Sequence, residues 1–405
     1  MNNSNFNDNM LSKQAAREVL EHHILRFWQT RMVDNERGGF YGRIDGHNTL
    51  HPDAPKGAVL NARILWSFAA AARVLHNTPY RILAARAYDY LMQQFIDREH
   101  GGVYWSLHAD GTPLDTKKQT YAIAFAIYGL AEYVRLTNNQ EALDAAIHLF
   151  DDIETHAFQS YMVNDQMVNG YTEALTRDWQ PISDMRLSEQ DENGAFTMNT
   201  HLHVLEAYTN LYRVLADVQR DDVQSTKAKV AKQLRTLIDI FTKQIFNPET
   251  EHLDLFFDTD WQSKRDKNSP GHDIEAAWLL HEALEVLGDP ILLQETLPVC
   301  QQLAQAAEDG ILNESQWWCY AEAVVGYVDQ WKWNQKALPA EAAVNLEMAE
   351  AAWEFIQSHL IDRENGEWFW SVLPDGTPDR THDKAGFWKC PYHNSRMCIE
   401  IIERL

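Results

Sequence analysis

Apolar residues recur at helical spacing along most of this chain, and short stretches in which the period falls to two separate the helical segments. AVLNARILWSFAAAARVL from Ala58 and QTYAIAFAIYGLAEYVRL from Gln119 each place apolar side chains around a wide helical face. Between such segments, Val103-Tyr104-Trp105-Ser106-Leu107 alternates between glycine-rich turns and reads as a short strand. That strand belongs to a unit written twice with little change: IDREHGGVYWSLHADGTPLD from Ile96 and IDRENGEWFWSVLPDGTPDR from Ile361. An acidic turn closed by glycine, an aromatic run and a DGTP turn together predict a small β-hairpin.

Weaker copies begin at Asp34 (DNERGGFYGRIDG), Asn164 (NDQMVNGYTEALTRDW), Asn247 (NPETEHLDLFFDTDW) and Glu308 (EDGILNES), which makes six in all. Two helices fit within each interval. Self-similarity at a period of roughly 60 to 70 residues marks a repeat architecture. Six α-hairpins can close into a ring, and closure buries the faces that an open solenoid must cap. The pattern therefore predicts an all-α fold: an (α/α)6 barrel of about twelve helices in two concentric layers, with short β-hairpins at one end. The expectation is a single catalytic domain over residues 1–405, with residues 1–10 a flexible N-terminus. An open α-solenoid acting as a scaffold is the structural alternative.

Composition narrows the partners. Hydrophobic residues make up 45% of the 405, with 14 Trp, 15 Tyr and 16 Phe, ample for a large core. The formal charge of -24 opposes binding to nucleic acid or to an anionic membrane surface, and no basic patch overrides it. Cys300, Cys319, Cys390 and Cys398 form no C-x-x-C pair and suit a reducing compartment. MNNSNFNDNM has no signal-peptide pattern, and no apolar run approaches membrane-spanning length. A cytoplasmic location follows as the expectation.

Motifs for nucleotide, nicotinamide and serine-hydrolase chemistry are absent, and His281-Glu282 lacks the second histidine of a zinc-protease helix. Three histidine clusters remain. In NTHLHVLEAY, Asn199 and His203 share a helical face while His201 points elsewhere; the alternative is a set of satisfied core groups. In GHDIEAAW, His272 and Glu275 are spaced i, i+3 at a helix start, where they could form an acid/base unit or, with Asp273, merely cap the helix. In GFWKCPYHNSR, Trp388, Tyr392, His393 and Arg396 cluster after a proline, with His393 expected at a loop mouth; a surface histidine packed among aromatics is the alternative. Arg63, among apolar residues on a predicted inner helix, needs either an acidic partner or a role as a fixed charge aimed into the barrel. Trp317 and Trp318 should point to different helical faces, so that only one meets a cavity.

These motifs, APKGAVLNARILWSF, MNTHLHVLEAYTNLYRV, GHDIEAAWLL, the Trp317-Trp318 segment with AEAVVG, and GFWKCPYHNSR, together resemble the N-acylglucosamine 2-epimerase superfamily, and most closely its cellobiose 2-epimerase branch. The likeness runs from about Phe27 to the C-terminus. It implies an (α/α)6 barrel and epimerisation at C2 of a reducing-end sugar, with no metal or other cofactor. Carried onto this chain, it implies catalytic roles for His203, His272, His393 and Arg63. Substrate contacts would fall on Tyr121, Asn199, Glu275, one of Trp317 and Trp318, and Trp388. Tyr320 stands where the family usually carries glutamine, and the segment before Trp317 is shorter than the family pattern, which puts the second sugar in doubt.

Such chemistry has a physical rationale. Ring opening exposes an aldehyde that acidifies the C2 hydrogen, and inversion needs proton delivery to the opposite face, work suited to histidine. The expected scheme makes His272 and His393 the acid/base pair, with Glu275 orienting His272, and has His203 and Arg63 stabilise the enediolate oxyanion. The expected substrate is a β-1,4-linked disaccharide such as cellobiose or lactose, the protein a monomer or weak homodimer. A monosaccharide epimerase, an aldose-ketose isomerase, a glycoside hydrolase on the same barrel, and a sugar-binding protein are the competing readings.

Overall fold

The computed structural model describes residues 10–163, 165–264 and 267–405. The expected flexible terminus, apart from Met10, and Asn164 of the third hairpin lie outside these residues. Twelve helices alternate between two layers among the described residues. The outer ones are α1 (13–31, with a wide central turn at Val19–Leu25), α3 (Thr78–Tyr90), α5 (Gln140–Asp152), α7 (Gln224–Ile240), α9 (Pro290–Ile311) and α11 (Pro339–Phe355). The inner ones are α2 (Ala58–Leu75), α4 (Thr120–Thr137), α6 (Met198–Asp217), α8 (Pro270–Leu287), α10 (Trp317–Asn334) and α12 (Tyr392–Arg404).

Each inner helix packs on the next around the ring, α2 on α4, α4 on α6, and so on to α10 on α12, and α12 packs back on α2. The ring is closed, which removes the open solenoid. Inner helices meet protein on nearly every side, and that explains their composition: α2 is buried from Ala58 through Ala72. By length and hydropathy α2 could cross a bilayer, contrary to the expectation that no run approaches that length; 89% of it lies inside the barrel.

Four outer helices, α3, α5, α7 and α11, end in a widened turn in which an N–H bonds the carbonyl five residues back, as from Ile96 to Leu91 and from Phe246 to Phe241. After α3, α7 and α11, as after α1, the chain then enters a turn that opens on Asp or Asn. In three of these turns an aspartate takes two backbone N–H groups on one oxygen and a buried lysine on the other: Asp34 with Lys56 (2.9 Å), Asp97 with Lys118 (2.8 Å), and Asp362 with Lys384. Two-residue strands at Lys56–Gly57, Lys118–Gln119 and Phe196–Thr197 lead into α2, α4 and α6, and each pairs with a segment of the following unit, Lys56 with Leu107, Gln119 with Ala174, Thr197 with Phe256. Gln316, before α10, bridges Ser371 in the same way. The hairpins thus gather around the N-termini of the inner helices.

The hairpin expected at Glu308, the fifth along the chain, does not form. Glu308 to Ile311 complete α9, and Gly310 serves packing rather than a turn, since a Cβ there would meet the Pro270 ring at 2.6 Å. The hairpin that follows the wide turn of α5, Phe158–Val163 with Gln166–Tyr171, is instead the longest.

Candidate active site

The inner-helix N-termini surround a cavity of about 500 Å³. All ten candidate site residues from the sequence line it, although they come from all six inner helices and one loop. Arg63 comes from α2, Tyr121 from α4, Asn199 and His203 from α6, and His272 and Glu275 from α8. Trp317 and Trp318 open α10, His393 lies in the first turn of α12, and Trp388 precedes it.

As the helical spacing predicts, Asn199 and His203 face the cavity together, while His201 turns away to the Tyr171 amide and the Thr197 carbonyl. Other expectations are corrected. His393 is helical rather than on a loop. Both tryptophans reach the cavity, because at the first turn of α10 the helix end itself is part of the wall: Trp317 packs on Trp370, and Trp318 lies 4.7 Å from His272 and 5.6 Å from His393 between ring centres. Glu275 does not orient His272, whose Nδ1 instead lies 2.7 Å from the Ser269 hydroxyl. Nor do Asp273 and Glu275 cap α8, since Asp273 is taken up by His252 and the Leu253 amide.

Arg63 has no carboxylate within ion-pairing distance among the described residues. Its Nη2 donates to the Tyr121 hydroxyl at 2.8 Å, and its guanidinium lies over the Phe125 and Tyr392 rings at 4.1 and 4.4 Å. Burial acts against its charge, yet Tyr121, Cys390 and Tyr392 hold it above the ordinary arginine range. It is a fixed, uncompensated cation aimed into the barrel.

A second guanidinium organises the floor. Arg396 of α12 bonds Glu206 of α6, Glu275 of α8 (2.6 Å) and Glu322 of α10 (2.7 Å). Two of these acids also hold histidines: His203 Nδ1 lies 2.9 Å from Glu206, and His393 Nδ1 lies 2.7 Å from Glu322. Each carboxylate favours the tautomer with hydrogen on Nδ1, which leaves Nε2 as the free acceptor. Glu206 and Glu322 were not among the sequence candidates, although Glu206 stands i+3 from His203 on the same helix, a spacing that could have found it.

Electrostatics set the resting charges. Burial pulls all three histidines below the usual range: His203 against the opposing pull of Glu206, His272 to about 3 with help from His203, and His393 well down with help from Arg63 and Arg396. All three are neutral imidazoles at pH 7. Burial would raise Glu206, but Arg396, His203 and Tyr392 together outweigh it and bring the acid to about 2. Glu275 is raised by burial and by the charge of Glu322, and Glu322 is raised by burial, so this pair favours retaining a proton. Glu275, Glu322 and His393 have donor atoms close enough for one cation, but Arg396 already bridges both carboxylates and supplies positive charge there.

Tyr320 faces away from the cavity. Its hydroxyl donates toward the Leu312 and Glu314 carbonyls and its ring stacks on Phe355 at 4.0 Å, so it fastens the loop that carries Gln316.

The closed double ring carries these groups at the N-termini of its inner layer, and the chain belongs to a known enzyme family: the sequence model described as N-acylglucosamine 2-epimerase (GlcNAc 2-epimerase) matches residues 39–395. The protein is accordingly a sugar 2-epimerase, an isomerase. Similar proteins include a cellobiose 2-epimerase of Bacteroides fragilis, 50% identical over 407 residues that cover 96% of this chain and 98% of that one. A cellobiose 2-epimerase of Ruminococcus albus is 38% identical, with 96% and 97% covered. The solved cellobiose 2-epimerase of Bacillus thermoamylovorans B4167 superposes with a TM-score of 0.85 at 38% identity, with 97% of this chain and 99% of that one covered.

Proposed function

We propose that the protein interconverts glucose and mannose at the reducing end of β-1,4-linked disaccharides, cellobiose and lactose among them, by ring opening, removal of the C2 proton and its return to the opposite face of an enediolate. The observation that carries this reading is the convergence of three neutral histidines, His203 and His393 buried and His272 half-buried, and one unpaired arginine on a single cavity. A base must begin uncharged, and a developing oxyanion must meet positive charge in a site poor in water.

His272 and His393 act as the acid/base pair, and they do so unequally. When His393 takes a proton, Glu322 at 2.7 Å steadies the imidazolium; His272 has only the Ser269 hydroxyl at that distance. His203 and Arg63 hold the O1/O2 oxyanion. The Asn199 Oδ1 and Trp317 Nε1 atoms are buried with no partner among the described residues, and they serve sugar hydroxyls as acceptor and donor.

The test is incubation of purified, chelator-treated protein in D2O with cellobiose and, separately, mannose, following reducing-end C2 by NMR. Deuterated 4-O-glucosyl-mannose is expected from cellobiose. Exchange with mannose alone would move the substrate to monosaccharides, a 2-ketose product would make the enzyme an aldose-ketose isomerase, and glucose released from cellobiose would mean hydrolysis.

A further inference from the structure

Beyond His203, His272 and His393, one more histidine lines the cavity. His382 belongs to the loop between the last hairpin and α12, and it plays no part in the proton transfers described above. A ladder of rings leads outward to it from the reacting centre: His393 to Trp317 at 6.3 Å, Trp317 to Trp370 at 4.6 Å, and Trp370 to His382 at 5.3 Å, the last pair nearly parallel at 17°. Two indole rings, those of Trp317 and Trp370, therefore separate this imidazole from His393. Its side chain is 51% exposed, whereas His393 is 9% exposed.

Exposure has not left it free to move. The Asp379 carboxylate holds His382 Nδ1 at 2.8 Å, and that carboxylate is itself fixed by Ser371 Oγ (3.2 Å) and by the Thr381 amide and hydroxyl (2.9 and 2.6 Å). The loop is pinned to the first hairpin by Arg43 on Asp383 (2.9 Å) and by the Ile44–Ala385 bridge, and to the last one by Lys384 on Asp362. With Nδ1 engaged on a carboxylate and the ring flat against an indole, Nε2 is the atom left for a ligand.

We propose that His382 is a specificity-determining residue that hydrogen-bonds, through Nε2, a hydroxyl of the ring beyond the reacting sugar. The inference rests on the disaccharide reading above. A monosaccharide held among His203, His272 and His393 would leave this position unused; a two-ring sugar extending along the ladder reaches it. Trp370 supports the imidazole and Asp379 aims it, so the contact is prepared before substrate arrives, which lowers the entropy of forming it.

Steady-state kinetics on cellobiose with wild type, His382→Ala and His382→Gln test this. Glutamine places a polar atom near the position of Nε2 and is the conservative replacement. His382→Ala is expected to raise KM about tenfold, the weight of one good hydrogen bond, with kcat within about twofold, and His382→Gln to recover most of the loss. An unchanged KM in His382→Ala, or a fall in kcat at unchanged KM, overturns the proposal while leaving the epimerase reading intact. A wild type that acts on mannose but not on cellobiose overturns the proposal together with the disaccharide reading it rests on, and leaves the C2 chemistry standing.

Discussion

A histidine whose Nδ1 rests on a carboxylate is fixed in tautomer as well as in place, and His203 and His393 share this arrangement while His272 does not. Glu322→Gln keeps shape and volume but offers His393 an amide that can present N–H as readily as oxygen, so the productive tautomer loses its support. The expected result is a fall in kcat of about a hundredfold with little change in KM, measured on cellobiose. A KM effect alone would assign Glu322 to substrate binding instead. At this scale the sequence was informative wherever a residue's chemistry is local. The histidines, Arg63 and the tryptophans stood out by type and motif. Glu275 stood out too, but its role did not, and Glu206 and Glu322 went unread, because the three acids meet Arg396 only after four helices far apart in sequence are brought together. Trp370 and His382 escaped for a different reason: both lie in the repeated hairpin unit and its following loop, which read as scaffold.

Among the repeated elements, the acidic turn does more than reverse the chain. Its aspartate ties backbone amides of the turn to a buried lysine, and in two copies that lysine sits at the entrance of an inner helix: Lys56 two residues before α2 and Lys118 two residues before α4. Where the turn begins with Asn247 instead, the side-chain oxygen still accepts the Glu249 amide and the side chain carries no charge that would need a cation. The pairs are not equivalent. Burial raises both aspartates, but Asp97 is brought far below the carboxylate range by Arg177 as well as Lys118, whereas Asp34 depends on Lys56 and two amides. Lys56→Met is therefore expected to destabilise by about 3–5 kcal/mol, the cost of leaving one member of a buried pair alone, and Lys118→Met by clearly less. Denaturant unfolding of both variants measures it, and equal losses would show that Arg177 gives Asp97 no shelter. The element level is also where the sequence misled. EDGILNES carries the acids and glycine of a turn, but glycine has two uses, and at Gly310 close packing against Pro270 took precedence.

The molecule as a whole closes through its last helix. α12 completes the inner ring between α10 and α2, and Arg396 at its second turn joins α6, α8 and α10 by their buried acids, beneath the Trp278 and Tyr392 rings at 4.7 and 4.2 Å. One residue thus serves closure of the ring and placement of two histidines. Ring closure was legible from the count of repeats, but this hub was not, since nothing in a repeat pattern says which charges will meet at the centre. Its worth can be separated into charge and packing. Arg396→Met keeps an unbranched apolar stem under the two rings and removes the cation, leaving three carboxyls facing one another. In the wild type Glu206 is held at about 2, below its unfolded value, so its contribution to stability is present above the ordinary carboxylate range and is lost only as pH falls through about 2. Without Arg396, burial and mutual repulsion raise all three acids, and folding at neutral pH must either bury bare charge or take up protons. The variant's deficit is then expected to be about 3–5 kcal/mol near pH 7 and to shrink as pH falls toward 4.5, where the acids accept protons in both states. Unfolding curves at the two pH values decide the matter. A deficit that narrows assigns the hub's contribution to charge, and one that stays constant assigns it to the stacking of Arg396 beneath Trp278 and Tyr392.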